Sequence, residues 1–230
     1  MSTFSVRLLQ AAGVIAISVY GAAAGSLEET YSRMDRAAAG FKAVKADLQR
    51  LNHTAVLNED DVESGTFIMK RSKPQDVRVL FDITKPEPRK YYFDGRQLDE
   101  YLPKIQTVQV YEAGKYKPLV EEFLLLGFGT TSKELTSHYG VSYKGAEAVG
   151  NEKAARLELI PKSRDLAAHL TKVDLWISDT LGVPVQQKFY RPGGDYNLFT
   201  YSNIMLNPNI ADSAVKPNLP KDVKREYPLK

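Results

Sequence analysis

Any chemistry in this 230-residue chain must come from a short inventory of side chains. There is no cysteine, which excludes a thiol nucleophile, disulfide staples and acylation of an N-terminal cysteine. His53, His138 and His169 stand far apart, and none has a second ligand at metal-binding spacing. A meeting in space with a serine and an aspartate stays open, although exposed or core histidines are the commoner outcome. Asn58-Glu59-Asp60-Asp61 concentrates acidic and amide groups, but it lacks the spacing and the glycine of a calcium loop and reads as a solvated turn. Asp99 and Glu100 are neighbours on an expected strand, so they project to opposite faces and cannot share a site. Gly127-Phe128-Gly129 lacks the third glycine of a dinucleotide fingerprint, and no zinc-protease, phosphate-loop or nucleophile-elbow motif occurs. No catalytic residue, metal or cofactor is nominated, and no enzyme is expected.

What the chain does carry is a set of large, soft apolar groups at strand spacing. Phe67, Met69, Val79, Phe81, Tyr92, Leu98, Tyr101, Trp176, Phe189 and Phe199 are the candidate lining of one apolar face. On an ordinary reading they form a core of aromatics. A curled sheet with an apolar helix at its mouth would instead enclose a hydrophobic ligand.

The elements that must position them begin with Gly65–Pro103. Phe67, Met69 and Arg71 alternate with Thr66, Ile68 and Lys70, and Val77, Val79 and Phe81 alternate with Arg78, Leu80 and Asp82. Lys90–Phe93, the Asp94-Gly95 turn and Gln97–Leu102 then read as a hairpin. Thr107–Tyr111 and Tyr116–Leu119 suggest another hairpin around Ala113-Gly114. Further strands are expected at Tyr139–Tyr143, Ala154–Ile160, Leu170–Ser178, Val183–Arg191 and Tyr196–Leu206, with marked turns at Asp179–Gly182 and Pro192–Asp195. From Asn207 the chain reads as an extended tail.

Two helices interrupt this pattern. Leu27, Tyr31, Met34, Ala38, Phe41, Val44 and Leu48 recur every three or four residues, which predicts an amphipathic helix over Leu27–Leu48. Ser26 and Glu29 have the spacing of a capping box. A first strand over Leu48–Leu57 should follow, the period changing near Asp47. Pro118–Leu135 opens with Glu121-Glu122, continues through Phe123-Leu124-Leu125-Leu126 and meets glycines at Gly127 and Gly129, so a short, very apolar helix is expected. It is either a core plug or a lid, the lid residues being Phe123, Leu124, Leu125, Leu126 and Phe128.

Residues 1–24 have the form of an export signal: Arg7, an apolar run over Leu8–Tyr20, then Ala22-Ala23-Ala24 ahead of Gly25. The run is shorter than the roughly 20 residues a membrane-spanning helix needs, although an uncleaved anchor is the competing reading. Cleavage would leave residues 25–230 as one domain, with its tail from about 207. A formal charge of only +3 without a long basic run argues against nucleic acid as a partner.

The order of these features resembles the LolA-type periplasmic carriers of outer-membrane lipoproteins and their wider lipid-carrier superfamily. The likeness rests on "GTFIMKRSKP…VRVLF", on "YYFDGRQLDEYLP" with Asp94, Gly95, Leu98, Tyr101 and Pro103, on the apolar insertion, on "VDLWISDTLGVPVQQKFY", and on Leu219–Val223 near the end. It spans roughly residues 27–225. The resemblance implies an α+β fold, mainly antiparallel β: an incomplete, curled half-barrel covered by the N-terminal helix and the inserted lid. It implies a soluble periplasmic carrier, monomeric and without a cofactor, that holds lipid acyl chains, those of outer-membrane lipoproteins first. Its partners would be an inner-membrane ATP-driven lipoprotein-release complex and an outer-membrane acceptor. A sensor of envelope lipid or lipoprotein on the same scaffold is the alternative, and a lipid hydrolase a more distant one. Carriers of this type have an arginine directly before a proline that helps control opening. Arg71 matches it, but Ser72 and Lys73 intervene before Pro74, so a solvated strand-end cation is the competing reading.

Overall fold

The computed structural model describes residues 26–73, 76–112, 114 and 126–228. The expected export signal, the Tyr116–Leu119 strand and the lid residues Phe123, Leu124 and Leu125 lie outside them.

Helix α1 spans Leu27–Ala39 and starts at the capping box read from sequence. The Ser26 side chain accepts from the Glu29 amide, and the Ser26 amide donates to the Glu29 carboxylate, both at 3.1 Å. The helix does not run to Leu48. Gly40 caps it, and strand β1 occupies Ala43–Thr54. Val44 and Leu48 fit a helical spacing and an alternating one equally well. Ala46 between them is 2% exposed, which only the alternating pattern explains. Pairing with the next strand then places Val44 opposite Met69 and Ala46 opposite Phe67.

The remaining strands are β2 (Glu59–Lys73), β3 (Asp76–Lys85), β4 (Arg89–Phe93), β5 (Gln97–Leu102), β6 (Thr107–Glu112), β7 (Tyr139–Val149), β8 (Glu152–Pro161), β9 (Lys172–Ser178), β10 (Pro184–Tyr190), β11 (Tyr196–Leu206) and β12 (Lys224–Glu226). Short helices α2 (Ser132–His138) and α3 (Arg164–Ala167) lie in the connections. All twelve described strands join one sheet in the order β12-β6-β5-β4-β3-β2-β1-β11-β10-β9-β8-β7. Every pairing is antiparallel except β12 with β6. The tail therefore holds more structure than the sequence reading assigns: a 3-10 turn at Asp212–Val215 and the edge strand β12.

The sheet is an open, incomplete barrel, with β12 and β7 at its two edges. Its curvature can be read from ring contacts. Phe67 on β2 and Tyr201 on β11 have centroids 5.2 Å apart, although β1 runs between those strands. Two strand spacings come to about 9.6 Å, so these side chains converge on a concave side. Gly65 helps β2 bend: a Cβ there would stand 1.9 Å from the Asp82 carbonyl oxygen, and the β2–β3 register shifts at this point. One apolar cluster fills the concave side, and α1 contributes Met34 to it.

The expected helix over Pro118–Leu135 needs correction where it is described. Residues 126–129 form a turn with Gly127 and Gly129 at positive φ, and of the described part only the stretch from Ser132 is helical. Left-handed backbone at two positions so close together is incompatible with a continuous helix. Among the described residues, no helix is long and apolar enough to cross a membrane.

Candidate functional site

Strand register sorts the candidate lining into two groups. Phe67, Met69, Val79, Phe81, Phe189 and Phe199 are buried together on the concave face, and the half-buried Leu98 packs against them. Phe67 lies 5.1 Å from Phe81, Phe81 lies 6.1 Å from Phe199, and Phe199 meets Phe189 edge-on at 5.8 Å. These residues form one surface.

Tyr92, Tyr101 and Trp176 belong to the other side of the sheet. Phe93 pairs with Val79 and with Leu98, which places Phe93 inside and its neighbour Tyr92 outside. Tyr101 differs in parity from Leu98 on the same strand, and it packs with Val108, Val110, Leu219 and Val223 beneath the C-terminal tail. Trp176 falls between the inward Leu175 and Ile177 and packs outside with Ala154 and Val185. Its indole N–H donates to Glu147 at 2.7 Å, and this bond is the main cause holding the Glu147 carboxyl below its ordinary range. Close by, the fully buried Asp174 accepts from Arg156 at 2.9 Å and from the Tyr190 hydroxyl at 3.0 Å. Burial, reinforced by that bond, pushes the Tyr190 hydroxyl up to about 12.

The sequence reading missed several inward residues: Tyr91, Phe93, Leu157, Leu175, Gln187 and Tyr201. Parity was the available signal for some of them, since Tyr201 follows Phe199 by two and Leu175 alternates with Val173 and Ile177.

The concave face is covered by α1 and by the 126–129 turn. Phe128 is fully buried, its ring 5.1 Å from both Phe67 and Tyr201. Leu126 is buried beside it. Arg71, Gln187 and Asp35 hold this segment. The Arg71 guanidinium donates to the Gly129 carbonyl at 3.1 Å and lies over the Phe41 ring at 5.6 Å. Gln187 donates from Nε2 to the Leu126 carbonyl at 2.6 Å. Asp35 of α1 accepts from the Ser132 amide at 2.6 Å and from its hydroxyl at 2.7 Å, which ties α1 to the start of α2. Burial lowers the Arg71 pKa, and Glu134 offsets part of that effect. Arg71 is therefore not a solvated strand-end cation; its guanidinium reaches the covering segment. The fit is close, because a Cβ at Gly129 would stand 2.6 Å from the Phe41 ring and 2.9 Å from the guanidinium.

Farther along the same face, toward the β1–β2 turn, the lining becomes polar. Arg50 donates to Glu63 at 2.6 Å and to the Tyr91 hydroxyl at 3.4 Å. Arg89 faces Glu63 at 3.7 Å and Glu100 at 3.8 Å. The concave side is thus amphipathic along its length, with aromatic groups at one end and paired charges at the other.

Among the described residues, no three His, Asp or Glu side chains come together as a metal site. The histidines sit on β1, at the end of α2 and just after α3. His53 bonds Asp60 at 2.7 Å and stacks on Tyr196 at 4.6 Å.

No protein-family model matches the chain, and no curated protein matches it in sequence. Solved structures do resemble it. An uncharacterized conserved protein from Thermus thermophilus superposes with a TM-score of 0.52 at 12% identity, covering 88% of this chain and 99% of that one. The lipoprotein LppX from Mycobacterium tuberculosis gives 0.50 at 11% identity, over 81% of this chain and 100% of LppX. A LolA superfamily protein from Nitrosomonas europaea also matches, at 14% identity over 84% and 98% of the two chains, with a TM-score of 0.37 that adds no weight. At these identities the likeness is one of fold alone, shared with the Thermus thermophilus protein and with LppX.

Proposed function

We propose that this protein is a carrier for lipid acyl chains, which it holds against the concave face of the half-barrel. The observation that carries this reading is the way that face is covered. Phe67 and Tyr201 receive Phe128 from a short turn, where a barrel closed on itself would supply another strand. That turn is secured by individual hydrogen bonds from Arg71 and Gln187. A cover held this way separates from the wall without breaking any strand ladder. Phe67, Phe81, Phe189 and Phe199 would then face an acyl chain in place of Phe128 and Leu126.

Energetics favour such an occupant. Each methylene moved out of water contributes about 0.8 kcal/mol, so a chain of ordinary length strongly prefers the groove. Release requires hand-over to an acceptor, and the returning Phe128 and Leu126 supply a competing occupant for the same surface. Arg71 acts as the latch of this exchange. The export signal read at residues 1–24 supports a periplasmic carrier, with outer-membrane lipoproteins as the cargo implied by the sequence resemblance. An inner-membrane release complex and an outer-membrane acceptor are its partners in that reading.

Native mass spectrometry of protein purified from its own envelope tests the proposal. A co-purifying lipid or acylated protein, in stoichiometric amount, is the expected result. Protein that is consistently empty, and that takes up no acyl lipid when offered it, would contradict the proposal.

A further inference from the structure

Gln187 is an anomaly on the concave face. It is 3% exposed, and it pairs with Phe199 in the middle of the aromatic wall. An uncharged amide placed there must satisfy both of its ends. Its partners fix its orientation. The Leu126 carbonyl can only accept, so the side-chain amide presents Nε2 to it, at 2.6 Å. That leaves Oε1 for the Tyr201 hydroxyl, which donates to it at 2.7 Å. Complete burial pushes the Tyr201 hydroxyl far above its ordinary range, so it remains a donor at any physiological pH. The chain of bonds runs Tyr201 to Gln187 to Leu126, and its last acceptor is the only member that belongs to the covering turn. Steric fit defines the seat of that carbonyl: a Cβ on the next residue, Gly127, would stand 2.5 Å from the Pro184 ring.

We infer that the Leu126 carbonyl occupies the position of a ligand's own carbonyl, so that Gln187 selects acyl esters and amides over plain hydrocarbon or ether chains. The inference rests on the acyl-carrier reading and deepens it. Withdrawal of the turn removes the acceptor from Gln187 while Tyr201 keeps the amide in place. A buried N–H left without an acceptor costs on the order of 1–3 kcal/mol. An alkyl chain cannot repay that cost, whereas the carbonyl that joins an acyl chain to its head group presents the same acceptor chemistry as the peptide carbonyl it replaces. The polar end of the groove fits this orientation. Arg50 also pairs with Phe199, on the opposite side from Gln187, so the paired charges begin two strand spacings from the amide, about 10 Å away. A ligand whose carbonyl lies at Gln187 has its head group on that side and its chains among the phenylalanines.

The test is a competition experiment with the full chain. Dipalmitoyl phosphatidylglycerol and its dihexadecyl ether counterpart are each titrated against a bound pyrene-labelled phospholipid. The wild-type protein is expected to prefer the ester by about fivefold, the worth of one hydrogen bond. Gln187→Met, which keeps the volume and removes the donor, is expected to bring the two lipids to within about twofold of each other on the same scale. Equal affinity of the wild-type protein for ester and ether would overturn the inference and leave the acyl site standing. Retention of the full ester preference by Gln187→Met would overturn it as well. Failure of both lipids to compete, together with no binding of the labelled phospholipid, would remove the acyl site itself. Where Gln187→Met does not fold, the wild-type comparison decides by itself.

Discussion

Phe81 on β3 and Phe199 on β11 stand with ring centroids 6.1 Å apart, although three strand spacings separate their backbones. On a flat sheet those spacings amount to about 14 Å. The contact is therefore a direct measure of how tightly the wall curls, and it joins the two halves of the chain across the groove. Phe199→Ala removes contacts with both Phe81 and Phe189. A truncation of this kind costs about 3–5 kcal/mol, and at about 2–4 °C per kcal/mol for a chain of this size the melting temperature should fall by roughly 10 °C. Thermal unfolding followed by circular dichroism checks this. A change of under about 2 °C would mean that the curvature does not depend on this contact.

Arg71 and Gly129 give the second expectation. A hydrogen bond from a charged donor is worth about 1.5–3 kcal/mol, and the Arg71 guanidinium spends part of that on its own burial. Arg71→Leu should therefore shift the balance toward the uncovered form by about tenfold, and the rate of acyl-probe uptake should rise with it. Release to an acceptor membrane should slow, because the covering turn competes less well for the groove. Stopped-flow fluorescence of a pyrene-labelled lipid measures both rates; unchanged rates would refute the latch.

Trp176 is the only tryptophan in the chain, and its place on the outer face makes it a clean reporter. Glu147 accepts the indole N–H, and its folded pKa is depressed. The bond therefore contributes stability above the ordinary glutamate pKa of about 4.3, and that contribution is lost as the pH falls through the lower folded value. Trp176 emission should hold steady from neutral pH into the ordinary carboxylate range and change only below it. Glu147→Gln should abolish that acid transition. A transition above about pH 5, clear of the ordinary carboxylate range, that survives the substitution would break the assignment.

The same tryptophan separates the two faces. Brominated acyl chains bound in the groove should quench Trp176 weakly, because the sheet lies between them. Strong, saturable quenching would mean that the chains bind on the outer face.

Much of this architecture can be read from the sequence, and the failures have a common physical origin. Alternation marks β2, β3, the β4–β5 hairpin and the C-terminal strands, because each keeps a two-residue period between turn residues over most of its length, with bulges at Ser64/Gly65 and Pro184/Gln186 interrupting it. Parity is where aromatic content misleads. Tyr91, Tyr92 and Phe93 are consecutive, so size alone does not say which ring points inward; the register of Val79 with Phe93 does. For Trp176 the answer was already present in Val173, Leu175 and Ile177, which take the inner face and force the indole out. The end of α1 was obscured because Val44 and Leu48 satisfy both periods, and Gly40 decides the matter. Strand β12 reads Lys-Arg-Glu and carries no apolar alternation, since it adds to the edge of β6 largely through its backbone. Gln187 could not have been found at all from local pattern. Its importance comes from Leu126 and Tyr201, which lie 61 and 14 residues away.

The central claim is that acyl chains lie on the concave face. The most direct measurement is photo-crosslinking of the full chain with a diazirine-labelled fatty acid, followed by mass-spectrometric mapping of the labelled residues. Labels on Phe67, Phe81, Phe189, Phe199 or Phe128 are the expected result, with Tyr92, Tyr101 and Trp176 unlabelled. Labels concentrated on those three outer residues, or no saturable labelling at all, would contradict it.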